Sequence, residues 1–327
     1  MRAAWYERYG PAREVFQIGE LPQPRPGTGE VLVRVHCSGV NPSDWRTRTG
    51  SRGEFPFERI VPHSDGAGVI EALGGGVDGR AVGQRVWMFN AQWQRPMGTA
   101  AEYVALPAPL TVPLDGSLSF AEGACLGVPA MTAHRCLFAD GTVEGKTVLV
   151  TGGAGAVGNY AVQLAKWGGA AVIATVSSEQ KAEFARKAGA DEVINYKESD
   201  VVSEVMRLTG GAGVDRIVEV DFGGNIEVSG QVLKMHGGIA IYSSLREREP
   251  KVRYIDFMRK NANLRFVHMY TVPEEAKQQA IADITQAIAE GALWHPIGAR
   301  FPLEEIAAAH EAQESGKVTG NIVIDVA

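Results

Sequence analysis

One segment near the middle of the chain is compatible with few folds. It reads Lys146-Thr-Val-Leu-Val-Thr-Gly-Gly-Ala-Gly-Ala-Val-Gly158, a short apolar run followed at once by closely spaced glycines. The apolar run predicts a buried strand over Thr147 to Thr151, and the residues from Ala156 to Trp167 have the length and pattern of a helix. A strand, a tight turn and a helix are therefore expected in direct succession.

The glycines of this segment follow the G-x-G-x-x-G pattern that binds the pyrophosphate of a dinucleotide. We expect Gly153 to permit the tight turn, Gly155 to let backbone N–H groups approach the phosphates, and Gly158 to let the helix pack closely. Ala156 and Val157 would offer N–H groups at the helix start, where the partial positive charge favours phosphate. No Gly-Lys-Ser/Thr closes the turn, which disfavours a P-loop.

The character of the sequence changes near Ser119. Before it, short β-rich runs alternate with Pro and Gly, and after it apolar runs alternate with helical stretches, as in βαβ units with a parallel sheet. The predicted strands are Thr147 to Thr151, Ala171 to Val176, Arg216 to Val220, Ile239 to Tyr242 and a closing strand, Asn321 to Val326. The predicted helices are Ala156 to Trp167, Glu179 to Ala188, Ser199 to Leu208, Asn225 to Met235, Pro273 to Glu290 and Leu303 to Ser315.

The end of the second parallel strand indicates which dinucleotide binds. NAD-binding folds place an acid there for the ribose 2′-OH, whereas this chain has Ser177 and no acid at that place. Lys181 and the hydroxyls of Ser177 and Ser178 can instead bind a 2′-phosphate, and Tyr196, after the third strand, can close the same pocket. The pattern favours NADPH, provided that Glu179 points to solvent.

Composition limits the class of protein. The 327 residues are about twice the usual length of one domain, and a net charge of −6 without a basic stripe argues against a nucleic-acid-coating surface. Cys37, Cys125 and Cys136 are odd in number and widely spaced, which fits a reducing cytosol better than disulfides. The chain start lacks a signal peptide and no run is long enough to span a bilayer, so we expect a cytoplasmic protein without membrane partners.

The whole chain resembles the medium-chain dehydrogenase/reductase superfamily, and within it the zinc-free quinone oxidoreductase branch that includes zeta-crystallin. The matching motifs include Pro26-Gly-x-Gly-Glu-Val-Leu-Val-Arg-Val, Ser38-Gly-Val-Asn-Pro-Ser-Asp44, Val61-Pro-His-Ser-Asp-Gly-Ala-Gly-Val-Ile70, the glycine turn and Ala188-Gly-Ala-Asp-Glu-Val-Ile-Asn-Tyr196. The resemblance implies an α/β protein. A Rossmann doubly wound parallel sheet, residues 123–270, would be inserted into a GroES-like, mainly β catalytic domain formed by residues 1–122 and 271–327.

The resemblance also indicates where zinc-dependent members hold their catalytic metal. The matching positions here are Asn41, Ser64 and Val128, none of which is a good zinc ligand, and the three cysteines cannot form a four-cysteine structural site. His63 adjoins Ser64 but has no further ligand beside it. We therefore expect no metal.

Without zinc, a hydride is transferred most readily to an acceptor that already takes electrons easily, such as a quinone. By resemblance, Asn41 lies near the nicotinamide and can donate to a developing oxyanion. Thr132 matches a position near the nicotinamide, and Ile241, Tyr242 and Ser243 would close the sheet edge beneath it. An N-cap role for Asn41 and core packing for Thr132 and Ile241 are the alternatives.

Some positions depart from the family pattern. Trp45 and Arg46 replace the usual tyrosine-bearing stretch, and Phe55 and Trp93 can form an aromatic wall for a flat acceptor or simply belong to the core. Two further cofactor candidates are Asp221, near the adenosine half, and Asn321, which replaces a lysine.

Two other functions stay open. One is an NADPH-dependent reductase of alkenals and enones, with Tyr242 or a water as proton donor. The other is an NADPH-binding structural or RNA-binding protein of the crystallin type, although the acidic composition disfavours RNA. The family's habit of pairing Rossmann sheets suggests a homodimer or homotetramer.

Overall fold

The computed structural model describes residues 1–51, 53, 55 and 57–326. The strands, in chain order, are β1 (Arg2–Trp5), β2 (Gln17–Glu20), β3 (Glu30–Val40), β4 (Asp65–Leu73), β5 (Arg85–Met88), β6 (Tyr103–Pro107), β7 (Thr111–Pro113), β8 (Thr147–Val150), β9 (Ala171–Val176), β10 (Glu192–Asn195), β11 (Val214–Glu219), β12 (Leu233–Ile241), β13 (Asn263–Phe266), β14 (Ile297–Pro302) and β15 (Asn321–Asp325).

The helices are α1 (Ala12–Val15), α2 (Pro42–Arg48), α3 (Phe120–Gly123), α4 (Met131–Phe138), α5 (Ala156–Trp167), α6 (Glu179–Lys187), α7 (Val201–Leu208), α8 (Phe222–Val232), α9 (Tyr254–Met258), α10 (Glu274–Ala289) and α11 (Ile306–Ser315). None of the described helices is both long and apolar enough to cross a bilayer. The chain divides into two compact units. The first contains Met1–Pro129 and His295–Ala327, and the second contains Ala130–Trp294.

The first unit is mainly β. Its described residues form a seven-stranded sheet in the order β14-β15-β3-β4-β5-β7, with β6 paired to β3. Neighbouring strands are antiparallel except for β14 and β15. Val31, Val33 and Val35 of β3 are fully buried in one cluster with Ile70 and Val104. Because side chains alternate along a strand, this spacing places one face of β3 in the core.

The second unit, all of whose residues are described, is a six-stranded parallel sheet in the order β10-β9-β8-β11-β12-β13. The chain runs outward from β8 to β10, then returns to the other side of β8 and runs outward again to β13. The reversal places a topological switch point between β8 and β11, where the strands' carboxyl ends form a ligand crevice. The predicted Rossmann doubly wound sheet is confirmed.

The region of α8 and β12 differs from the prediction. The helix predicted over Asn225 to Met235 is α8, Phe222–Val232, and the following strand is longer than predicted. The reason is that Leu233 already pairs with Val214 of β11, so the chain is extended where the sequence pattern still allows a helix. By contrast, the bounds of α5 and β9 coincide with the prediction.

The boundaries between the units also differ from the predicted ones. The second unit begins at Ala130 rather than at residue 123, and ends at Trp294 rather than at residue 270. Helix α10, which the sequence placed in the catalytic domain, packs on α4 within the second unit. His134 Nε2 lies 2.7 Å from Asp283 Oδ2, and this contact joins the two helices.

Candidate functional site

The glycine turn between β8 and α5 is a cradle with no room for side chains. Its left-handed residue is Gly152, with φ +68°. Gly153 is needed for close packing, because a Cβ there would lie 2.8 Å from Ala174 Cβ on β9. A Cβ on Gly158 would lie 2.2 Å from the Gly152 carbonyl oxygen. These glycines let the start of α5 approach the turn closely.

The start of α5 fits a pyrophosphate. Gly155 is the N-cap residue and no side chain caps this helix end. The N–H groups of Ala156, Val157 and Gly158 are therefore left without intrahelical acceptors at the positive end of the helix dipole. A Cβ on Gly155 would come no nearer than 3.4 Å to its closest neighbour, the Gly152 oxygen, so a ligand can approach this backbone closely.

A second group of predicted residues gathers at the carboxyl ends of β9 and β10. Asn195, the last residue of β10, pairs with Val176, the last residue of β9. The Tyr196 N–H donates to the Val176 carbonyl at 3.1 Å, which places Tyr196 beside the start of the Ser177-Ser178 turn. Ser178 caps α6, where its hydroxyl accepts a bond from the Lys181 N–H at 3.4 Å.

The charges around this turn fit a 2′-phosphate. Within residues 1–51, 53, 55 and 57–326, the Lys181 ammonium forms neither a hydrogen bond nor an ion pair. Glu179, the acid that had to point away, is 71% exposed and accepts a bond from Arg186 at 2.6 Å. One positive charge is thus available at this turn, and the nearby negative charge is already paired.

A buried carboxylate lies behind the glycine turn. Glu219, the last residue of β11, accepts bonds from Thr151 Oγ1 at 3.0 Å, Asn225 Nδ2 at 2.8 Å and Ser229 Oγ at 3.2 Å. Burial raises the pKa of Glu219, and these bonds oppose the rise. The contacts tie β8, β11 and α8 together at the switch point. Glu219 was not among the residues predicted from the sequence, although a glutamate ending an apolar strand was the available signal.

Two predicted cofactor residues are engaged elsewhere. Asp221 Oδ1 accepts from the N–H groups of Leu245, at 2.7 Å, and Arg246, at 3.0 Å, so this carboxylate holds the loop that follows β12. Asn321 belongs to the first unit, and its Nδ2 donates to the Pro296 carbonyl at 3.0 Å. Contact of either side chain with a cofactor stays a prediction.

A cavity of about 490 Å³ lies at the carboxyl ends of β12 and β13. Ile241, Tyr242 and Ser243 line it, as do Phe266 and Arg248, which were not predicted from the sequence. Burial, followed by the charges of nearby thiol and carboxylate groups, raises the pKa of Tyr242 well above its usual value. The Tyr242 hydroxyl therefore stays protonated and can donate a hydrogen bond.

Thr132 has a different setting. It is buried on α4 and does not contribute to the lining of this cavity.

In the first unit, Asn41 is held by two carboxylates. It stands at the N-cap of α2, where its backbone N–H donates to Asp44 Oδ2 at 2.7 Å. Its side-chain Nδ2 donates to Asp65 Oδ2, also at 2.7 Å, and the Val128 N–H reaches the same oxygen at 2.8 Å. The predicted alternative, an N-cap position, is therefore present together with a buried side-chain contact.

The three positions that match zinc ligands surround Asp65. Asn41 and Val128 each direct an N–H donor at Asp65, whereas a zinc ion needs lone pairs from its ligands. Ser64 is the chain neighbour of Asp65. No group of three or more His, Cys, Asp or Glu suited to a metal occurs in the described part of the chain. The side chains present do not fit a zinc site.

The predicted substrate residues divide into two kinds. Trp45 and Arg46 lie together on α2, with the guanidinium carbon 5.6 Å from the Trp45 ring centroid, and Trp93 is half-buried. Phe55 packs edge-on against Tyr6 and Tyr9, with centroids 5.8 and 5.1 Å away. Phe55 therefore has the contacts of a core residue, the alternative that its spacing left open.

Comparisons with known proteins agree with this architecture. The alcohol dehydrogenase GroES-like domain model matches residues 27–116, and the zinc-binding dehydrogenase model matches residues 156–286. The quinone oxidoreductase of Rattus norvegicus is 32% identical in an alignment 327 residues long, which covers 99% of this chain and 98% of that protein.

Two solved structures are similar over nearly their full length. The structure of an NAD-dependent alcohol dehydrogenase has a TM-score of 0.91 and 31% identity, and covers 100% of both chains. That of a mycobacterial protein complexed with NADPH has a TM-score of 0.89 and 30% identity, and covers 99% of both chains.

Proposed function

The chain belongs to the medium-chain dehydrogenase/reductase superfamily, and from this premise we propose that it reduces quinones with NADPH, without zinc. The observation that carries the proposal is the cluster around Asp65. At the positions where zinc-dependent members hold the metal that activates an ordinary carbonyl, this chain has N–H groups of Asn41 and Val128 that donate to Asp65. An acceptor that takes a hydride without Lewis-acid activation is suited to such a site.

NADPH is the cofactor, and when bound it supplies the hydride. The N–H groups of Ala156, Val157 and Gly158 hold its pyrophosphate at the start of α5. Lys181 and the hydroxyls of Ser177 and Ser178 accommodate the 2′-phosphate, whose charge the unpaired ammonium balances. One structural neighbour is an NAD-dependent enzyme, and the feature that favours NADPH here is Ser177, which stands directly after β9 where NAD-binding folds have an acid.

The reduced acceptor is stabilised by hydrogen-bond donors of the chain. As negative charge develops on the acceptor oxygen, the Asn41 amide donates to it, as in an oxyanion hole. In the second unit, Tyr242, whose raised pKa keeps its hydroxyl protonated, lines the cavity at the ends of β12 and β13 and can donate a hydrogen bond there. The Asn41 amide is held by Asp65 before the reaction, so little reorganisation is needed as the charge forms.

We also propose a cytoplasmic homodimer or homotetramer. Cys37, Cys125 and Cys136 are free and buried, as suits a reducing compartment. Strand β13 is an edge of its sheet, and the apolar Phe266 on it is 71% exposed. An exposed apolar edge of this kind is commonly covered by a second chain.

An acceptor screen tests the function. With NADPH, 9,10-phenanthrenequinone and 1,4-benzoquinone should have higher kcat/KM values than a medium-length enal, and simple alcohols should be inert. Asn41→Ala should lower quinone turnover by about 10²–10³, the usual cost of losing an oxyanion-hole donor. A wide advantage for the enal would replace the quinone assignment with an alkenal reductase.

Metal removal is a separate arm of the same experiment. Prolonged dialysis against a strong chelator should leave the quinone rate unchanged, and elemental analysis should find no stoichiometric zinc. A large loss of rate that zinc alone restores would contradict the proposed chemistry.

A further inference from the structure

The carboxyl group of Asp65 is completely buried, and only one of its two oxygens accepts hydrogen bonds from described residues. Asp65 begins β4 and has no exposed surface. Its Oδ2 accepts two N–H groups, from Asn41 Nδ2 and the Val128 backbone, whereas Oδ1 has no partner among the described residues. Because both donors reach Oδ2, this oxygen acts as an acceptor whether or not Oδ1 carries a proton. A buried oxygen without a hydrogen-bond partner lowers the stability of the fold, so its presence here calls for an explanation.

Glycine leaves the carboxyl group just enough space. A Cβ on Gly127 would lie 2.1 Å from Asp65 Oδ1, so any larger residue there would displace the carboxyl. On the other side, a Cβ on Gly39 would lie 3.2 Å from Asp65 Cβ. Oδ2 is therefore held toward Asn41 by packing as well as by hydrogen bonds.

The backbone of Asp65 is anchored separately from its side chain. Thr99 Oγ1 donates to the Asp65 carbonyl at 2.5 Å, and Ser38 Oγ lies 2.7 Å from Thr99 Oγ1 and 2.8 Å from His63 Nδ1. Removing the carboxyl would thus leave these main-chain contacts in place. The effect of the carboxyl on Asn41 can be separated from the effect of the fold on Asp65.

The two ends of an asparagine amide, the oxygen and the NH₂ group, differ chemically. Turned one way the amide presents N–H groups, and turned by 180° it presents a carbonyl oxygen that would repel an oxyanion. The bond to Asp65 Oδ2 takes one of the two Nδ2 hydrogens and fixes the nitrogen on that side. The second N–H keeps a fixed direction and is the one left for an acceptor.

We propose that Asp65 is a positioning residue, which orients the Asn41 amide so that its second N–H is presented to the acceptor oxygen. This inference rests on the proposed function, since it assigns Asn41 a role in the reaction. Asp65 itself touches neither acceptor nor cofactor and acts only through Asn41. The placement of the Asp65 carboxyl also accounts for the glycine at position 127, where a Cβ would lie 2.1 Å from Oδ1.

The test is a double-mutant cycle on quinone turnover. Asp65→Ala should lower kcat by roughly 10- to 100-fold, somewhat less than the loss of an oxyanion donor itself, with little change in the KM for NADPH. In an Asn41→Ala background, Asp65→Ala should lower kcat no further. Asp65→Asn, whose amide oxygen can still accept at the Oδ2 position, should recover most of the rate.

Ser38→Ala is the matched control, because it removes a buried hydrogen-bonding group of the backbone anchor without touching the carboxyl. It should lower the Tm as Asp65→Ala does but leave kcat within about twofold, because Ser38 reaches Asp65 only through Thr99 and the backbone carbonyl, not through the carboxyl group. If Asp65→Ala does not fold, Gly127→Ala applies the same test, since its Cβ would displace Oδ1.

Two outcomes contradict the proposal, and they differ from failure of the proposed function. A kcat loss from Asp65→Ala that persists in the Asn41→Ala background means that Asp65 acts independently of Asn41. Full activity of Asp65→Ala beside an impaired Asn41→Ala means that Asn41 needs no positioning. If Asn41→Ala is itself fully active, the oxyanion role fails, and the positioning role fails with it.

Discussion

Lys181 is the side chain that most directly connects this structure to a choice of cofactor. Its ammonium has no hydrogen bond or ion pair to any described residue, although its backbone N–H is engaged by the Ser178 cap. The one acid nearby, Glu179, is paired with Arg186 on the exposed side of α6. A free cation beside two serine residues is suited to a phosphate and gives no advantage to a ribose hydroxyl.

Replacing Lys181 with Ala should therefore weaken NADPH binding by roughly 1.5–3 kcal/mol, the scale of a hydrogen bond to a charged group. NADH binding should hardly change, because NADH lacks the 2′-phosphate. Titration calorimetry with both cofactors measures the difference. Lys317→Ala, which removes an exposed charge in the first unit, controls for the change in net charge. Equal losses for NADPH and NADH would assign Lys181 to the fold.

Two buried histidines connect separate elements of the first unit. His63, which has a left-handed φ of +77°, faces His310 of α11 with the two Nε2 atoms 2.9 Å apart. Arg48 of α2 donates from Nε to His310 Nδ1 at 3.4 Å, and His63 Nδ1 contacts Ser38 Oγ on β3. Since the Thr99 hydroxyl donates to the Asp65 carbonyl, the Ser38 hydroxyl donates to Thr99 and accepts from His63.

This order of donors requires both histidines to be neutral. His63 carries its proton on Nδ1 and His310 on Nε2, because Arg48 can only donate to Nδ1 of His310. Burial lowers the pKa of His63 to about 3. Burial, followed by the neighbouring His63 ring and Arg48 guanidinium, lowers the pKa of His310 well below its usual value. Protonation of either ring would break the contact between β3, α2 and α11.

The protein should accordingly lose stability in mild acid. In the unfolded chain both histidines take up a proton below about pH 6.5, whereas the folded chain resists until far lower pH. The free energy of unfolding should fall by up to roughly 2.7 kcal/mol per pH unit from this pair below that value. Thermal unfolding between about pH 7.5 and about pH 5 measures the slope.

The variant His310→Gln isolates the contribution of the pair, because the other described histidines with lowered pKa values, His36, His134 and His295, remain in it. It should be less stable than the parent at neutral pH but have a flatter dependence on pH. An unchanged slope would show that the buried pair does not account for the acid sensitivity.

At the scale of the whole molecule, the outer edge of the parallel sheet is an exposed apolar surface to which a second chain can bind. Among the described strands, β13 pairs only with β12, which leaves its other edge open. Phe266 at its end is 71% exposed, and Tyr254 and Met258 of α9 are 70% and 55% exposed. An exposed apolar side chain on a strand with an open edge, such as Phe266 on β13, promotes pairing with another chain.

The parent protein should therefore sediment at twice the chain mass or more, and Phe266→Asp should shift it toward the monomer. The charge would have to be buried without a partner in the assembled form, which is costly. Analytical ultracentrifugation gives the mass, and circular dichroism confirms that the variant is folded. Val82→Asp, at a position 63% exposed in the first unit, is the control. A monomeric parent would contradict the expected assembly.

Local features of the sequence determined much of the nucleotide-binding unit. The glycine spacing, the bounds of α5 and β9, and the missing acid after Val176 all depend on residues close together in the chain. Short-range patterns determine such elements because the glycine conformations, the strand alternation and the helix period act over a few residues. The lack of an acid at Ser177 was evident for the same reason, and contact of this turn with a 2′-phosphate stays a prediction.

Only the tertiary structure decided which distant residues meet. Asn41, Asp65 and Val128 come together through strand pairing and the kink before Pro129, and no sequence spacing indicates that Asp65 is the acceptor between them. Packing likewise assigned α10 to the second unit and committed Asp221 to the loop after β12. Such contacts depend on how whole elements are packed, and that long-range arrangement overrides what any local pattern allows.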